Sequence, residues 1–170
     1  MSSFKLWIYK IITMFLPESR CFRLKTFLLR WAGAKIGENV RIYSSAKIMG
    51  NGNLIIGSDV HVGPQVCIYL SETGTVTIGS YVDIAPRVTF LTGTHCIDPH
   101  GEHIAGSGLA KSITIGDGSW LGACCTFLPG VTLAKKTVVA AGAVVCSSVM
   151  VEQALVAGVP AKIKKSYCEP

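Results

Sequence analysis

The chain has no apolar run of the length that a membrane-spanning helix needs. Its most apolar early stretch, residues 4–16, is interrupted by Lys5 and Lys10 and is shorter than the roughly 20 apolar residues that cross a bilayer. The stretch also lacks the small-residue cleavage site of a secretory signal. The sequence therefore predicts a cytoplasmic protein, with the inner face of the membrane as the alternative location.

Paired cysteines and acidic residues are also scarce. The seven cysteines show no paired spacing and no Cys-x-x-Cys motif, which argues against a disulfide framework and against a zinc site. Ten acidic residues stand against 16 basic ones, giving a net charge of +6. This excess favours an anionic partner without choosing among phosphates, membranes and nucleic acids.

The strongest pattern is a period of six residues, which is clearest over residues 113–149. A large apolar residue opens each unit, Gly or Ala usually follows it, and a small or β-branched residue takes the fifth place. This period is not helical; it fits short strands joined by tight corners, where the first residue points inward and the small second residue lets the chain turn. The opening residues form five triplets: Ile36, Ile42 and Ile48; Ile56, Val62 and Ile68; Ile78, Ile84 and Phe90; Ile115, Leu121 and Phe127; Leu133, Val139 and Val145.

Three units of six make one triangular coil, and the coils must stack because a single coil cannot bury its own inward face. The expected spacing between coils is about 4.8 Å, as between neighbouring strands. The period predicts a coiled domain over residues 36–160, interrupted by a long loop at residues 91–112. A basic tail, residues 161–170, follows it.

Residues 1–35 lack the period and are predicted to form two short helices that meet at Leu16 and Pro17. One interpretation is that these helices cap the exposed first coil, as any solenoid requires. The other is that residues 4–31 form a basic amphipathic surface that lies on an anionic membrane. Both interpretations can hold at once.

The long loop contains three of the four histidines, His95, His100 and His103. A loop on a rigid scaffold is a common place for function. A neutral imidazole, with an ordinary pKa near 6.5, is suited to remove a proton at pH 7. The loop is therefore the predicted place of chemistry.

The repeat [Leu/Ile/Val]-Gly-x-x-[small]-x, the loop segment Thr94-His95, the unit Ser119-Trp120-Leu121-Gly122 and the closing segment Gly158-Val159-Pro160-Ala161-Lys162 resemble the hexapeptide-repeat acyltransferases. The likeness covers about residues 34–165 and points to the galactoside/maltose and surface-polysaccharide O-acetyltransferase branch. It implies an all-β fold, a left-handed parallel β-helix of about five coils, although the usual crossover is right-handed.

The resemblance also implies an activity. The expected reaction is transfer of an acetyl group from acetyl-CoA, as co-substrate, to a hydroxyl of a sugar or surface-polysaccharide precursor. The expected assembly is a homotrimer with active sites between subunits. Neither a metal nor a nucleic-acid partner is expected.

By this resemblance His95 is the general base. An orienting acceptor for its second nitrogen stays open among Asp98, Glu102, Glu72 and a backbone carbonyl. The candidate acceptor-binding residues are Gln65, Tyr69, Glu72, Asp98 and Trp120. The candidate cofactor-binding residues are Trp120, Gly122, Ala123, Ala141, Gly142, Lys162 and Lys165.

The two lysines are expected to meet the phosphates of coenzyme A. A Thr-Lys pair of the family aligns to Cys146-Ser147, so one basic contact is missing or is supplied by Lys135 or Lys136.

Three alternatives remain. The first is N-acetylation of a nucleotide-linked amino sugar, since no motif here distinguishes an oxygen from a nitrogen acceptor. The second is a zinc enzyme similar to γ-class carbonic anhydrases, with His61, His95 and His100 as ligands. The third is a non-catalytic structural β-helix, which leaves the histidine loop unexplained.

Overall fold

Two helices and nineteen short strands follow one another along residues 1–167, the part of the chain that the computed structural model describes. Residues 168–170, the end of the predicted basic tail with the seventh cysteine, lie outside the described residues. The helices are α1 (Ser3–Met14) and α2 (Phe22–Trp31). No helix among residues 1–167 is long and apolar enough to cross a bilayer.

Most of the strands form three parallel sheets, A, B and C. Sheet A contains β1 (Lys35–Ile36), β4 (Asn53–Ile56), β7 (Thr75–Ile78), β12 (Ile113–Ile115) and β15 (Thr132–Leu133). Sheet B contains β2 (Arg41–Ile42), β5 (His61–Val62), β8 (Asp83–Ile84), β13 (Trp120–Leu121), β16 (Val138–Val139), β18 (Ala154–Ala157) and the antiparallel β19 (Lys162–Ser166). Sheet C contains β3 (Lys47–Gly50), β6 (Cys67–Leu70), β9 (Thr89–Leu91), β14 (Thr126–Phe127) and β17 (Val144–Val145). The strands β10 (Gly93–Ile97) and β11 (Ala105–Ala110) form a separate antiparallel hairpin.

Each coil of the β-helix takes one strand from each sheet in the order A, B, C. The five predicted triplets are five complete coils. Val149, which pairs with Leu133, and β18 belong to a sixth that is incomplete. The prediction of a parallel β-helix is confirmed, with about six turns in place of five. The sixth turn was missed because residues 146–153, Cys-Ser-Ser-Val-Met-Val-Glu-Gln, interrupt the pattern of six. The left-handed sense stays a prediction from the resemblance.

The core is a column of stacked side chains inside the coils. The opening residues Ile42, Ile84 and Leu121 are completely buried, as is the fifth-place residue Val66. Equivalent residues of neighbouring coils lie directly above one another. Phe90 and Phe127, for example, stack with ring centroids 5.1 Å apart. Each such side chain contributes about 1.5–3 kcal/mol through removal from water.

The prediction that the small second residue of each unit makes the turn is wrong. At most corners between sheets A and B and between sheets B and C, the fourth residue of the unit turns the chain by adopting a positive φ. These non-glycine residues are Asn39, Asp59, Gln65, Tyr81, Arg87, Cys124, Lys136 and Gln153. The second residue is small for another reason. A Cβ on Gly37 would lie 2.7 Å from the carbonyl carbon of Gly57 in the next coil, so the small residue allows the coils to stack.

Both helices pack over the first coil. Their inner faces bury Leu6, Tyr9, Leu28 and Leu29 in the same hydrophobic cluster as Ile42. The two short helices predicted from the sequence are therefore confirmed.

Candidate functional site

His95 lies on a hairpin that leaves the β-helix where sheet C ends and sheet A begins, which we call the C–A corner. The predicted loop at residues 91–112 is in fact mostly this hairpin, because its two arms pair as β10 and β11. His95 is exposed and lies opposite Gly108. A Cβ on Gly108 would lie 3.9 Å from the imidazole Nε2, so the absence of a side chain there leaves that edge of the ring open.

Thr92, which the sequence reasoning missed, holds the base of the hairpin. Its side chain is completely buried. Its Oγ1 accepts a hydrogen bond from the backbone N–H of Ser71 at 2.7 Å and donates one to the carbonyl of Tyr69 at 3.1 Å. Its own carbonyl accepts a hydrogen bond from Lys111, at the far end of the hairpin, at 2.8 Å. The position of Thr92 at the loop boundary was visible in the sequence, but its burial was not.

Two acceptor-binding candidates share the C–A corner with the hairpin. Tyr69, 42% exposed, lies on β6 and pairs with Leu91 at the end of β9. Glu72 is exposed in the turn at residues 71–74, which packs against the hairpin base, since a Cβ on Gly74 would lie 2.7 Å from Thr92. Tyr69, Glu72 and His95 therefore belong to one region of the surface.

Asp98 lies further out, in the turn of the hairpin. One oxygen of its carboxylate accepts hydrogen bonds from the backbone N–H groups of His100 at 3.1 Å and Gly101 at 3.0 Å. Asp98 thus shapes the hairpin turn. Within residues 1–167 no hydrogen bond joins Asp98, Glu102 or Glu72 to the His95 ring.

A second group of predicted residues lies where sheet B ends and sheet C begins, the B–C corner. Gly122 and Ala123 form this corner in the fourth coil, and Ala141 and Gly142 form it in the fifth. The stacking is tight, because a Cβ on Gly122 would lie 2.6 Å from the backbone nitrogen of Ala141. Within residues 1–167 no hydrogen bond uses the backbone N–H of Ala123 or Ala141. The corner therefore offers two N–H donors, one in each coil.

Trp120 and the two tail lysines border this corner. Trp120 lies two residues before Gly122, on the outer face of sheet B, and is 57% exposed. On the same face Trp120 pairs with Val138, and Val138 pairs with Leu155 in the next coil. Lys165 lies opposite Leu155, so it is in line with Trp120 across the sheet. Lys162 lies opposite the last residue of β18, one residue before the B–C corner of the sixth coil.

Other candidates lie elsewhere. Gln65 forms the B–C corner of the second coil, where its Oε1 accepts a 2.9 Å hydrogen bond from the Nε–H of Arg87. It is not brought to Tyr69 and Glu72. Lys135 and Lys136 form the corner between sheets A and B, so they are not brought to Lys162.

His61 lies on β5, the second strand from the N-terminal edge of sheet B, away from the hairpin. It pairs with Arg41 and Asp83, and the ring of Tyr43 meets its imidazole edge-on at 5.3 Å. Burial lowers the pKa of His61, the charge of Arg41 lowers it further and that of Asp83 opposes both. The structure thus does not bring His61 to His95 and His100 within one chain. Among residues 1–167, no group of three or more His, Cys, Asp or Glu side chains is arranged to hold a metal ion.

The two groups of candidates stand at opposite edges of sheet C. The B–C corner precedes each strand of that sheet and the C–A corner follows it. One side of the coil is about six residues of extended chain, roughly 20 Å. A base must come within hydrogen-bond reach of the proton that it removes. The base of the His95 hairpin and the B–C corner of the same coil are separated by this width, which is far beyond that reach.

The fold is that of a parallel β-helix, and comparisons with known proteins show which proteins the chain is similar to. No family model matches the chain. The chain is 38% identical over 120 residues to an Escherichia coli protein assigned as the colanic acid biosynthesis acetyltransferase WcaF, covering 71% of this chain and 63% of that protein. It is 30% identical over 136 residues to the galactoside O-acetyltransferase of the same organism, covering 80% of this chain and 65% of the relative. The chain thus spans less than two thirds of the length of these curated relatives.

Among solved structures, a variant of AntD, an N-acyltransferase from Bacillus cereus in complex with dTDP and coenzyme A, has the same fold. The TM-score is 0.68 at 17% identity, covering 88% of this chain and 91% of that one. The resemblance predicted from the motifs is confirmed: the chain is a relative of the hexapeptide-repeat acetyltransferases.

Proposed function

We propose that this protein is an acetyl-CoA-dependent acetyltransferase that acts on a hydroxyl of a sugar or surface-polysaccharide precursor, with His95 as the general base. The observation that carries the proposal is the B–C corner, where two backbone N–H donors lie between an exposed Trp120 and Lys162. The names of the sugar and polysaccharide acetyltransferases among the relatives support it. The cytoplasm is the proposed location.

The B–C corner suits the donor. The pantetheine arm of coenzyme A carries amide groups that accept hydrogen bonds, and the N–H groups of Ala123 and Ala141 are suited to donate them. Gly142 is exposed and has no side chain to keep the arm away from the backbone. Lys162 and Lys165 supply positive charge for the phosphates, as point charges in place of the fork that Arg would give.

In the proposed reaction, His95 takes the proton of the acceptor hydroxyl while the hydroxyl oxygen attacks the thioester carbonyl carbon. The carbonyl oxygen becomes negative and is stabilised by backbone N–H donors. The C–S bond then breaks, and the sulfur leaves with the proton that His95 had taken. The products are an acetyl ester and coenzyme A.

The working unit is proposed to be a homotrimer. Because His95 and the B–C corner stand at opposite edges of sheet C, a complete site requires the hairpin of one copy to face the corner of another. Three prisms packed side by side close such a ring by a cyclic operation.

The acceptor is proposed to bind between the hairpin and the C–A corner, where Tyr69 and Glu72 lie. A carboxylate accepts hydrogen bonds from sugar hydroxyls, and an aromatic ring offers an apolar face to the sugar. Trp120 of the neighbouring copy would form the opposite wall. N-acetylation of a nucleotide-linked amino sugar is the second candidate, favoured by the shared fold with an N-acyltransferase bound to dTDP.

The test is release of thiol from acetyl-CoA in the presence of hydroxyl sugars, glycan repeat units and nucleotide-linked amino sugars. We expect His95→Ala to lower the rate by about 10²–10⁴-fold, while His103→Ala, in the same hairpin region, keeps it. The acceptor that responds decides between oxygen and nitrogen. Wild-type rates in His95→Ala, or no transfer to any acceptor together with no binding of coenzyme A, would overturn the proposal.

A mixing experiment tests the shared site. Ala141→Trp fills the exposed B–C corner and should be inactive, as should His95→Ala. If each site uses two copies, trimers assembled from both variants contain some intact sites, and activity returns. Hybrid trimers without activity would show that one chain supplies the whole site.

A further inference from the structure

The helix α1 carries a row of large apolar side chains that point away from the β-helix. Phe4, Trp7, Ile11 and Met14 recur every three or four residues, which places them on one face of the helix. They are 67%, 58%, 40% and 76% exposed. Phe15, just beyond the helix, extends the row. The opposite face of α1 already fills the core, so the fold makes no use of this row.

The helix α2 repeats the arrangement. Leu24, Phe27 and Trp31 form an exposed row with the same helical spacing, while Leu28 and Leu29 are buried on the other side. The two rows meet through Lys5, whose Nζ lies over the Trp31 ring at 4.9 Å. We call the two rows together the cap face. An apolar surface of this extent usually marks an interaction site.

Positive charge surrounds the cap face. Residues 1–35 contain seven Lys and Arg, of which only Lys25 is completely buried, and a single acidic residue, Glu18. The carboxylate of Glu18 accepts hydrogen bonds from the backbone N–H and the hydroxyl of Ser45 in the first coil. Lys10, Arg20 and Arg23 are exposed around the rows. Basic residues beside an apolar helical face are typical of helices that lie in the interface of an anionic membrane.

We propose that the cap face binds the surface of an anionic lipid bilayer, with α1 and α2 lying in the interface plane. A second copy of the chain fits less well, because a symmetric contact through this face would bring Lys10 and Arg23 towards basic residues of the same region in the other copy. A bilayer with anionic headgroups meets both the apolar rows and the charge. This proposal does not depend on the acetyltransferase activity.

The test is flotation of the full chain with vesicles of phosphatidylcholine alone and with vesicles that also contain phosphatidylglycerol, whose negative charge attracts basic segments. We expect binding to the anionic vesicles that weakens as salt is raised. Trp7→Ser combined with Phe27→Ser should reduce the bound fraction about tenfold. Tyr81→Ser combined with Met150→Ser, which removes two equally exposed apolar side chains from the coils, should leave it unchanged. All four positions are exposed, so the thermal unfolding midpoint should not change in either variant.

Equal binding by wild type and the Trp7→Ser, Phe27→Ser variant would overturn the proposal, as would no preference for anionic vesicles. Light scattering without lipid tests whether the cap face instead joins copies of the chain. If wild type forms a larger assembly that this variant abolishes, the cap face is an interface between copies and the membrane proposal is wrong.

Discussion

The hydroxyl oxygen of Thr92 lies 2.7 Å from the backbone nitrogen of Ser71, one coil below it. The bond fastens the start of the His95 hairpin to the turn that carries Glu72. Because Thr92 also bonds the carbonyl of Tyr69, one buried side chain sets the relative positions of three predicted site residues. The rigid part of the fold thus reaches to within three residues of His95.

Thr92→Val tests this link. Valine keeps the shape but removes both side-chain hydrogen bonds, leaving the Ser71 N–H without its partner at a cost of about 1–3 kcal/mol. We expect a lower kcat from a displaced base, with the KM for acetyl-CoA nearly unchanged, because the proposed donor corner is remote. Steady-state kinetics measure both. Thr92→Ser keeps the hydroxyl and should restore kcat; a wild-type kcat in Thr92→Val would remove the positioning role.

Gly122 and Gly142 form a matched pair for the donor corner. Alanine at position 122 places a Cβ 2.6 Å from the nitrogen of Ala141 and the carbonyl of Val139, so coils four and five must separate. We expect a loss of about 1–3 kcal/mol of unfolding free energy. Gly142 has a φ of +71° but no atom within 4 Å of an added Cβ, so Gly142→Ala should cost only about 1 kcal/mol. Chemical denaturation compares the two, and an equal or reversed order contradicts the stacking argument.

The coils were predictable because the inward residues repeat on one period. Ile84, Leu121 and Phe127 are buried where the pattern of six places them. The corners were not predictable in the same way, since residues as different as Tyr81, Arg87 and Cys124 take the left-handed conformation there. Their place in the coil, and not their own preference, dictates the backbone.

The sequence predicted which residues are candidates for the site, but not how they are arranged in space. Sequence order places His95 before Trp120 and Gly122 but cannot say that sheet C separates them, because this depends on which corner each segment occupies. The antiparallel pairing of β10 with β11 also escaped notice, since Gly106 and Gly108 indicate a flexible loop when neighbours are unknown.

Cys124 and Cys125 should differ sharply in reactivity although they are adjacent. Cys125 is completely buried at a fifth place of the repeat, and burial raises the pKa of its thiol to about 12. Cys124 is exposed at the corner. Only the thiolate reacts with an alkylating reagent, so iodoacetamide should label Cys124 at least tenfold faster in the folded protein. Fragment mass spectrometry distinguishes the neighbours. Cys124→Ser should abolish fast labelling at this pair, whereas rapid labelling of Cys125 would mean that the coil opens.

His61 should make stability depend on pH in a defined window. Its pKa is lowered in the folded protein from 6.5, first by burial and then by Arg41, with Asp83 opposing. The unfolded chain therefore takes up the proton at a higher pH than the folded chain does. Stability from the neutral imidazole is fully present above pH 6.5 and declines as the pH falls through 6.5 towards the folded pKa.

The measurement is the thermal unfolding midpoint between pH 7.5 and pH 5, above the range in which carboxylates usually titrate. Wild type should lose stability across this window, and His61→Gln should show a flatter profile because it has no proton to bind. His103→Gln removes an exposed histidine and should retain the wild-type slope. If His61→Gln has the same slope as wild type, another group is responsible, and burial together with the charge of Arg41 does not favour the neutral ring.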